Sequence, residues 1–328
     1  MSDTAGDVRI ALPPHIDAAA VAARDAAARV ERLAGVTMGT SWSVRFALPR
    51  GGDAAALGRA IEARLDGIVA EMSHWAAESL LSRFNRAPAG MWMALPADFA
   101  WVMARGLAIA AASGGAFDPA IGQLTDLWGF GPHGARPTPL GAEVAAARTL
   151  SGWQQLAWDG AARRLRQAGG VALDLSGIAK GFAVDAVAAL LTERGIGHAL
   201  VEIGGELVGR GVRPDGEPWW VDLETPPGLT LAPIRIALHE LAVATSGDYR
   251  RGAHTLDPRT GRPALNGVVS VSVLHAQALD ADAWATAIAV LGAEEGMALA
   301  VRERLAARVV MADGTEHLSP LLTAMLAD

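Results

Sequence analysis

Residues 155–194, QLAWDGAARRLRQAGGVALDLSGIAKGFAVDAVAALLTER, decide how the fold is read. Three short runs, 155–158, 164–167 and 171–175, are separated by Asp-Gly and Gly-Gly, which predicts a small antiparallel meander. A helix follows over 177–194, with Val184, Val187, Leu190 and Leu191 on one face. Several strands in a row ahead of one helix break the βαβ alternation that a doubly wound sheet requires. Upstream, Leu57, Ile61, Leu65, Ile68 and Met72 recur at helical spacing, so 53–73 is a helix, and a second helix covers 97–112. The Ala-rich stretch 15–33 reads as a helix preceding the first strand, 42–48. Residues 128–141, WGFGPHGARPTPLG, are a long loop. Downstream, strands are expected at 198–203, 206–210, 218–223, 233–238, 268–275 and 307–312, and helices at 279–291 and 294–304. The expectation is an α+β fold, with 1–35 as an Ala-rich extension and 36–328 as one domain.

Composition narrows the function. The 328 residues hold 28 Lys and Arg against 35 Asp and Glu, a net charge of −7. With 51% hydrophobic residues and 19% charged ones, the chain has ample apolar surface for a core. It lacks the basic footprint of a nucleic-acid or anionic-membrane binder. Cysteine is absent, which removes disulfides, thiolate metal sites and cysteine nucleophiles together. The first residues, MSDTAGDVRIALPPHID, lack the basic start and apolar stretch of an export signal. The longest apolar runs fall short of the ~20 residues of a spanning helix. A cytoplasmic protein without a membrane anchor is therefore expected. The sequence has no G-x-x-x-x-G-K-[ST], no H-E-x-x-H and no G-x-S-x-G.

Four constellations remain. In Asp174-Leu-Ser-Gly-Ile-Ala-Lys180-Gly181 an apolar run ends at a Ser/Gly turn and a helix opens with Lys180 in its first turn. Free N–H groups, the positive end of the helix dipole and an ammonium together suit a phosphate. The plainer alternative is a strand–turn–helix junction, with Ser176 as cap and Lys180 in solvent, where it adds little to stability. Asp282 and Thr286, four apart on one predicted helix face, offer hard oxygens of the kind that hold Mg²⁺. Alternatively, the threonine bonds back to its own helix. In His254-Thr-Leu-Asp257-Pro258-Arg-Thr-Gly261 the second half is a turn signature, and His254 ahead of it is a candidate general base. Residues 246–251, SGDYRR, carry the sole tyrosine beside two arginines and read as a polar turn.

Taken in order, the motifs MGT (38–40), MSHW…S…SRFN (72–85), AFDP (116–119), LWGFG (127–131), DLSGIAKG (174–181), IGG (203–205), SGDYRR (246–251), HTLDPRTG (254–261) and ADAWAT (281–286) resemble the ApbE family, flavin transferases that attach FMN to protein threonines. The resemblance spans about residues 36–325. It implies a T-fold-related α+β architecture of two lobes with FAD in the cleft between them. It further implies that Gly177, through its carbonyl, joins Asp282 and Thr286 around Mg²⁺, and that Met38, Trp75, Ala116, Phe117, Asp118, Asp174, Lys180 and Leu256 contact FAD. His254, Lys180 and Asp257 are the catalytic candidates. The implied reaction moves FMN from FAD onto a Thr or Ser hydroxyl of an acceptor flavoprotein and releases AMP. Its alternatives are FAD pyrophosphatase activity and a non-catalytic FAD-binding protein. The chain departs from the family pattern at Trp75, where Tyr is common, and at Glu202 and Glu206, where Asn and Asp are common. Many family members are exported lipoproteins, and this chain has neither signal nor cysteine.

Overall fold

The computed structural model describes residues 8–248 and 254–326. In chain order the N-terminal part comprises β1 (Arg9–Ala11), α1 (Ala18–Ala22), β2 (Arg29–Thr37), β3 (Thr40–Leu48), α2 (Ala54–Met72), α3 (Leu80–Asn85), β4 (Trp92–Ala94), α4 (Ala97–Ala112), α5 (Gly122–Leu127) and α6 (Gly141–Thr149). The middle comprises β5 (Ala157–Asp159), β6 (Arg164–Arg166), α7 (Ala179–Glu193), β7 (Ala199–Ile203), β8 (Glu206–Arg210), β9 (Trp219–Asp222), β10 (Ile234–Leu238) and β11 (Leu241–Gly247). The chain closes with β12 (Leu256–Asp257), β13 (Arg262–Pro263), β14 (Val268–His275), α8 (Ala278–Arg302), β15 (Ala306–Met311), β16 (Glu316–Leu318) and α9 (Pro320–Met325).

An antiparallel sheet of eight strands, in the order β16-β15-β14-β11-β8-β7-β3-β2, forms the middle layer. Strand alternation gives it two apolar faces. Val201, Ile203, Ala242, Ala244, Val271 and Val273 join the helical core with α2, α4, α7 and α8. Their neighbours Leu200, Leu241, Val243 and Leu274 point the other way, toward a second core. That side is covered by the small sheet β1-β10-β9 and by α9, through Trp219, Ile234, Ile236, Leu322 and Met325. The α+β expectation holds.

The expected helix over 15–33 is not formed as such. Only Ala18–Ala22 are α-helical, capped by the Asp17 side chain, and residues 29–37 are an edge strand of the main sheet. That strand runs across the expected 35/36 boundary. β1 adds parallel to β10, so the N-terminal segment is woven into the structure. The predicted strand at 171–175 is also absent. Asn85 brackets Leu173, donating to its carbonyl at 3.0 Å and accepting its N–H at 2.7 Å. Gln167 does the same for Val171. Side-chain amides thus satisfy this extended backbone, and β4 supplies the third strand of the meander instead. The two helices expected at 279–291 and 294–304 are present as the two parts of α8, which breaks at Gly292, where φ is +85°. Over its most apolar stretch α8 is long and apolar enough to cross a membrane, yet 56% of that stretch is buried in the fold, as suits a core helix.

The N-termini of α7 and α8 cross in contact. Gly181 makes this possible: a Cβ there would lie 2.2 Å from the Ala278 carbonyl oxygen. Gly181→Ala should therefore force the helices apart and cost about 1–3 kcal/mol, as overpacking does. Gly67→Ala, at an exposed position of α2 with open space around it, should stabilise the protein by about 0.5–1 kcal/mol. Urea unfolding of the two variants checks both signs.

Candidate functional site

Neither α7 nor α8 caps itself; the residues before them, Ile178 and Gln277, make no side-chain cap. Each helix is capped by a carboxylate from the other. Asp185 of α7 accepts the N–H groups of Ala278 (3.0 Å) and Leu279 (2.9 Å). Asp282 of α8 accepts the Gly181 N–H through Oδ2 at 3.0 Å. The exchange satisfies donors that helix starts leave open and places carboxylates at positive helix ends. Burial still dominates, pushing the Asp185 carboxyl up to about 6 and raising that of Asp282.

With Oδ2 committed, the other Asp282 oxygen, Oδ1, lies 3.9 Å from Lys180 Nζ. The same ammonium pairs closely with Glu206, which enters from the start of β8 and is 2% exposed. Its Oε2 is buried without a hydrogen-bond partner among the described residues. Burial raises the Glu206 carboxyl to about 7, with Lys180 pulling it back only in part. Lys180 is thus not simply solvated; two buried carboxylates share its charge. Next to this cluster, a Cβ added to Gly177 would lie 2.9 Å from Thr286 Oγ1 and 3.5 Å from the Phe117 ring. Gly177, Lys180, Asp282, Thr286 and Phe117, picked out from three separate motifs, are brought together here. The donors suit a hard cation: the Gly177 carbonyl, the Asp282 carboxylate and the Thr286 hydroxyl. Among the described residues no group of three or more His, Cys, Asp or Glu side chains offers an alternative metal site.

Asp174, at the start of the turn into α7, is held by Ser176 through its N–H (2.8 Å) and hydroxyl (2.5 Å). His74 Nδ1 lies 3.4 Å away. Burial alone would raise this carboxyl, but His74 and Ser176 hold it below the ordinary range. Trp75, 62% exposed, is tilted over the His74 ring at 5.4 Å, so this flat surface belongs to the same corner. Met38 occupies a two-residue turn between β2 and β3 with φ +50°, followed by Gly39 at +72°. That conformation is uncommon for a side chain larger than glycine or asparagine. The turn sits beside the 203–205 turn, where Gly204 N–H donates to Ser41.

Other candidates have structural duties. Ala116 is buried in the core. Asp118 accepts the N–H groups of Ala120 (2.8 Å) and Trp153 (3.0 Å), and burial pushes it up to about 6. Leu256 packs with Leu124 and Val144 in a small satellite core. Asp257 accepts from the Arg259 N–H and Nε through Oδ1 and from Nη2 through Oδ2, which ties it into its turn instead of leaving it as a base. His254 lies 3.3 Å from Asp248 and meets the Phe130 ring edge-on. Tyr249, Arg250 and Arg251 of the SGDYRR motif lie outside the described residues. Glu206 and Asp185 were missed as functional positions. Glu206 carried one signal, a carboxylate directly after Gly-Gly at a strand start.

The Lys180–Glu206 pair has a measurable consequence. A carboxyl raised in the folded state holds a proton that the unfolded chain gives up, so its contribution is full below about pH 4.5 and lost by about pH 7. In Lys180→Met the opposing ammonium is gone and the penalty at higher pH grows. The variant should lose about 1–3 kcal/mol at pH 8 and much less at pH 5.5. Adding Glu206→Gln should restore most of the loss at pH 8, as thermal melts at the two pH values will show.

The ApbE family model matches residues 38–310. An FAD:protein FMN transferase of Vibrio cholerae serotype O1 is 37% identical over 281 residues, covering 82% of this chain and 83% of that protein. One from Salmonella typhimurium is 35% identical over 297 residues, covering 86% and 84%. The solved flavin transferase ApbE from Vibrio cholerae superimposes with a TM-score of 0.84 at 35% identity, over 90% of this chain and 99% of that one. The flavinyl transferase ApbE of Pseudomonas stutzeri gives 0.84 at 36% identity, over 92% and 98%. With most of its length matched in sequence and in fold, the chain is a transferase of the ApbE family.

Proposed function

We propose that this enzyme is a Mg²⁺-dependent FAD:protein FMN transferase acting on a Thr or Ser hydroxyl of an acceptor flavoprotein. The observation that carries the reading is the oxygen set of Gly177, the buried Asp282 and Thr286 beside Lys180, in a chain whose relatives are named for this activity. In the reaction, the acceptor oxygen attacks the FMN-side phosphorus of FAD. The bond from that phosphorus to the bridging oxygen breaks, AMP leaves with the electron pair, and the hydroxyl proton passes to His254. A bound Mg²⁺ would neutralise charge on the diphosphate.

The protein's own residues supply the rest. Lys180 places an ammonium against the diphosphate, exchanging part of its pairing with Glu206 for the substrate oxygens. Asp174, kept ionised by His74 and Ser176, orients the nucleotide from the turn. The exposed Trp75 face offers a stacking surface for a flat ring. Because Asp282 also caps α7, the informative variant is Asp282→Asn, which can still accept the Gly181 N–H but presents no charged oxygen to a cation.

The test is incubation of the chain with FAD, Mg²⁺ and a candidate acceptor flavoprotein, reading AMP release and acceptor mass. Wild-type protein should add one FMN to the acceptor for each AMP formed, and excess chelator should stop both. Asp282→Asn should lower AMP formation by at least roughly 10²-fold and weaken Mg²⁺ binding in calorimetry, with little change in melting temperature. AMP without acceptor modification would favour the pyrophosphatase reading. Full turnover in chelator would overturn the metal assignment.

A further inference from the structure

Asp248 is the first residue after β11, whose register with β14 runs to Gly247 opposite Ser270. An interior strand therefore fixes its backbone. His254 stands just ahead of β12, and the next residue, Thr255, is anchored by its carbonyl, which accepts the Ala264 N–H at 2.9 Å. Two contacts join these anchored ends. Thr255 Oγ1 donates to Asp248 Oδ1 at 2.9 Å, and His254 Nδ1 lies 3.3 Å from the same oxygen. The Phe130 ring meets the imidazole edge-on at 6.4 Å between centroids, limiting its rotation.

We propose that Asp248 is the positioning residue of the transfer reaction, holding the proton of His254 on Nδ1 so that the basic lone pair is on Nε2, with Thr255 aiming the carboxylate. The inference rests on the reading of His254 as the base. A neutral imidazole has one proton and two nitrogens, and the hydrogen bond made by one decides which of them is basic. A carboxylate beside Nδ1 keeps the proton there and favours the imidazolium that forms once Nε2 takes the hydroxyl proton of the acceptor. Both protons then reside on the ring and Asp248 stays ionised. The new oxygen–phosphorus bond forms as AMP departs with the electrons of the old one. The reaction needs no further reactant.

The proposal separates Asp248 from a residue that merely shapes its turn. Asp248→Asn retains size and hydrogen bonding but no longer enforces the tautomer. It should lower kcat for AMP formation from Mg²⁺–FAD by roughly 10- to 10³-fold, while the FAD dissociation constant from flavin fluorescence stays within about threefold. Thr255→Val, a milder change, should lower kcat by roughly 3- to 10-fold. His254→Ala should lose roughly 10²–10⁴-fold, and the double variant with Asp248→Asn should lose no more than His254→Ala alone, because the two act as one unit. Nitrogen-15 NMR of histidine-labelled wild-type protein should show the His254 proton on Nδ1, and Asp248→Asn should shift that tautomer. A proton on Nε2 in the wild type, additive losses, or parallel loss of FAD affinity and kcat in Asp248→Asn would overturn the proposal. Wild-type kcat in Asp248→Asn beside a disabled His254→Ala would overturn it and leave His254 as the base. An unimpaired His254→Ala would instead remove the base reading and the proposal with it.

Discussion

The reciprocal capping of α7 and α8 is the constraint on which the site depends. Two helices with no caps of their own meet N-terminus to N-terminus, an arrangement that sets like dipole ends against each other. Asp185 and Asp282 resolve the conflict by each entering the other helix's first turn. The crossing must be close for both carboxylates to reach, and Gly181 is what allows it. Once that contact is made, Lys180 and Gly177 from one helix start and Asp282 and Thr286 from the other necessarily share a corner. Little additional machinery is needed to bring them there.

The capping also explains why so much buried negative charge is tolerated. Asp282 spends one oxygen on a backbone N–H and keeps the other directed toward Lys180. Glu206 balances the same ammonium from the sheet side, with one buried oxygen that has no hydrogen-bond partner among the described residues. Two carboxylates around one lysine are a poor arrangement for stability alone. They suit the proposed function, in which a cation binds beside Asp282 and a diphosphate beside Lys180, because the incoming charges would then have partners already fixed in place. Burial raises both the Glu206 and the Asp282 carboxyl, with Lys180 pulling each back only in part.

Much of this was legible in the sequence, for identifiable reasons. The periodic helices at 54–72 and 97–112 and the strands at 199–203, 206–210 and 268–275 carry strong local patterns, and they form as expected. The i, i+4 placement of Asp282 and Thr286 and the Ser-Gly turn before Lys180 are local signals too. What escaped depends on distant partners. Residues 171–175 look like a strand because they are apolar and extended, but Asn85 and Gln167 occupy their hydrogen-bonding groups. β2 was hidden because Ala-rich sequence favours helix, while its strand form comes from pairing with β3 along nine residues. β11 was hidden because it follows β10 after only His239 and Glu240, where the chain passes from the small sheet into the large one. Asp185 looked like one more polar position on a helix. Its partners lie more than ninety residues away.

The site divides into parts of different mechanical character. The oxygen set and Lys180 sit where two buried helix starts and a central strand meet, so their geometry is fixed by the core. His254, the base of the proposed reaction, lies between a strand end and a two-stranded ribbon, near the Asp248–Thr255 contact and the Asp257–Arg259 pair. Such a division suits a reaction with one constant and one variable partner. The nucleotide's diphosphate is always the same and benefits from rigid, pre-placed charge. In the proposed reaction the acceptor hydroxyl arrives on another protein, and the group that meets it, His254, is partly exposed and lies apart from the helix crossing. The hydroxyl of Thr255 then holds the Asp248 carboxylate beside His254, giving the base of the proposed reaction a fixed neighbour away from the helix crossing.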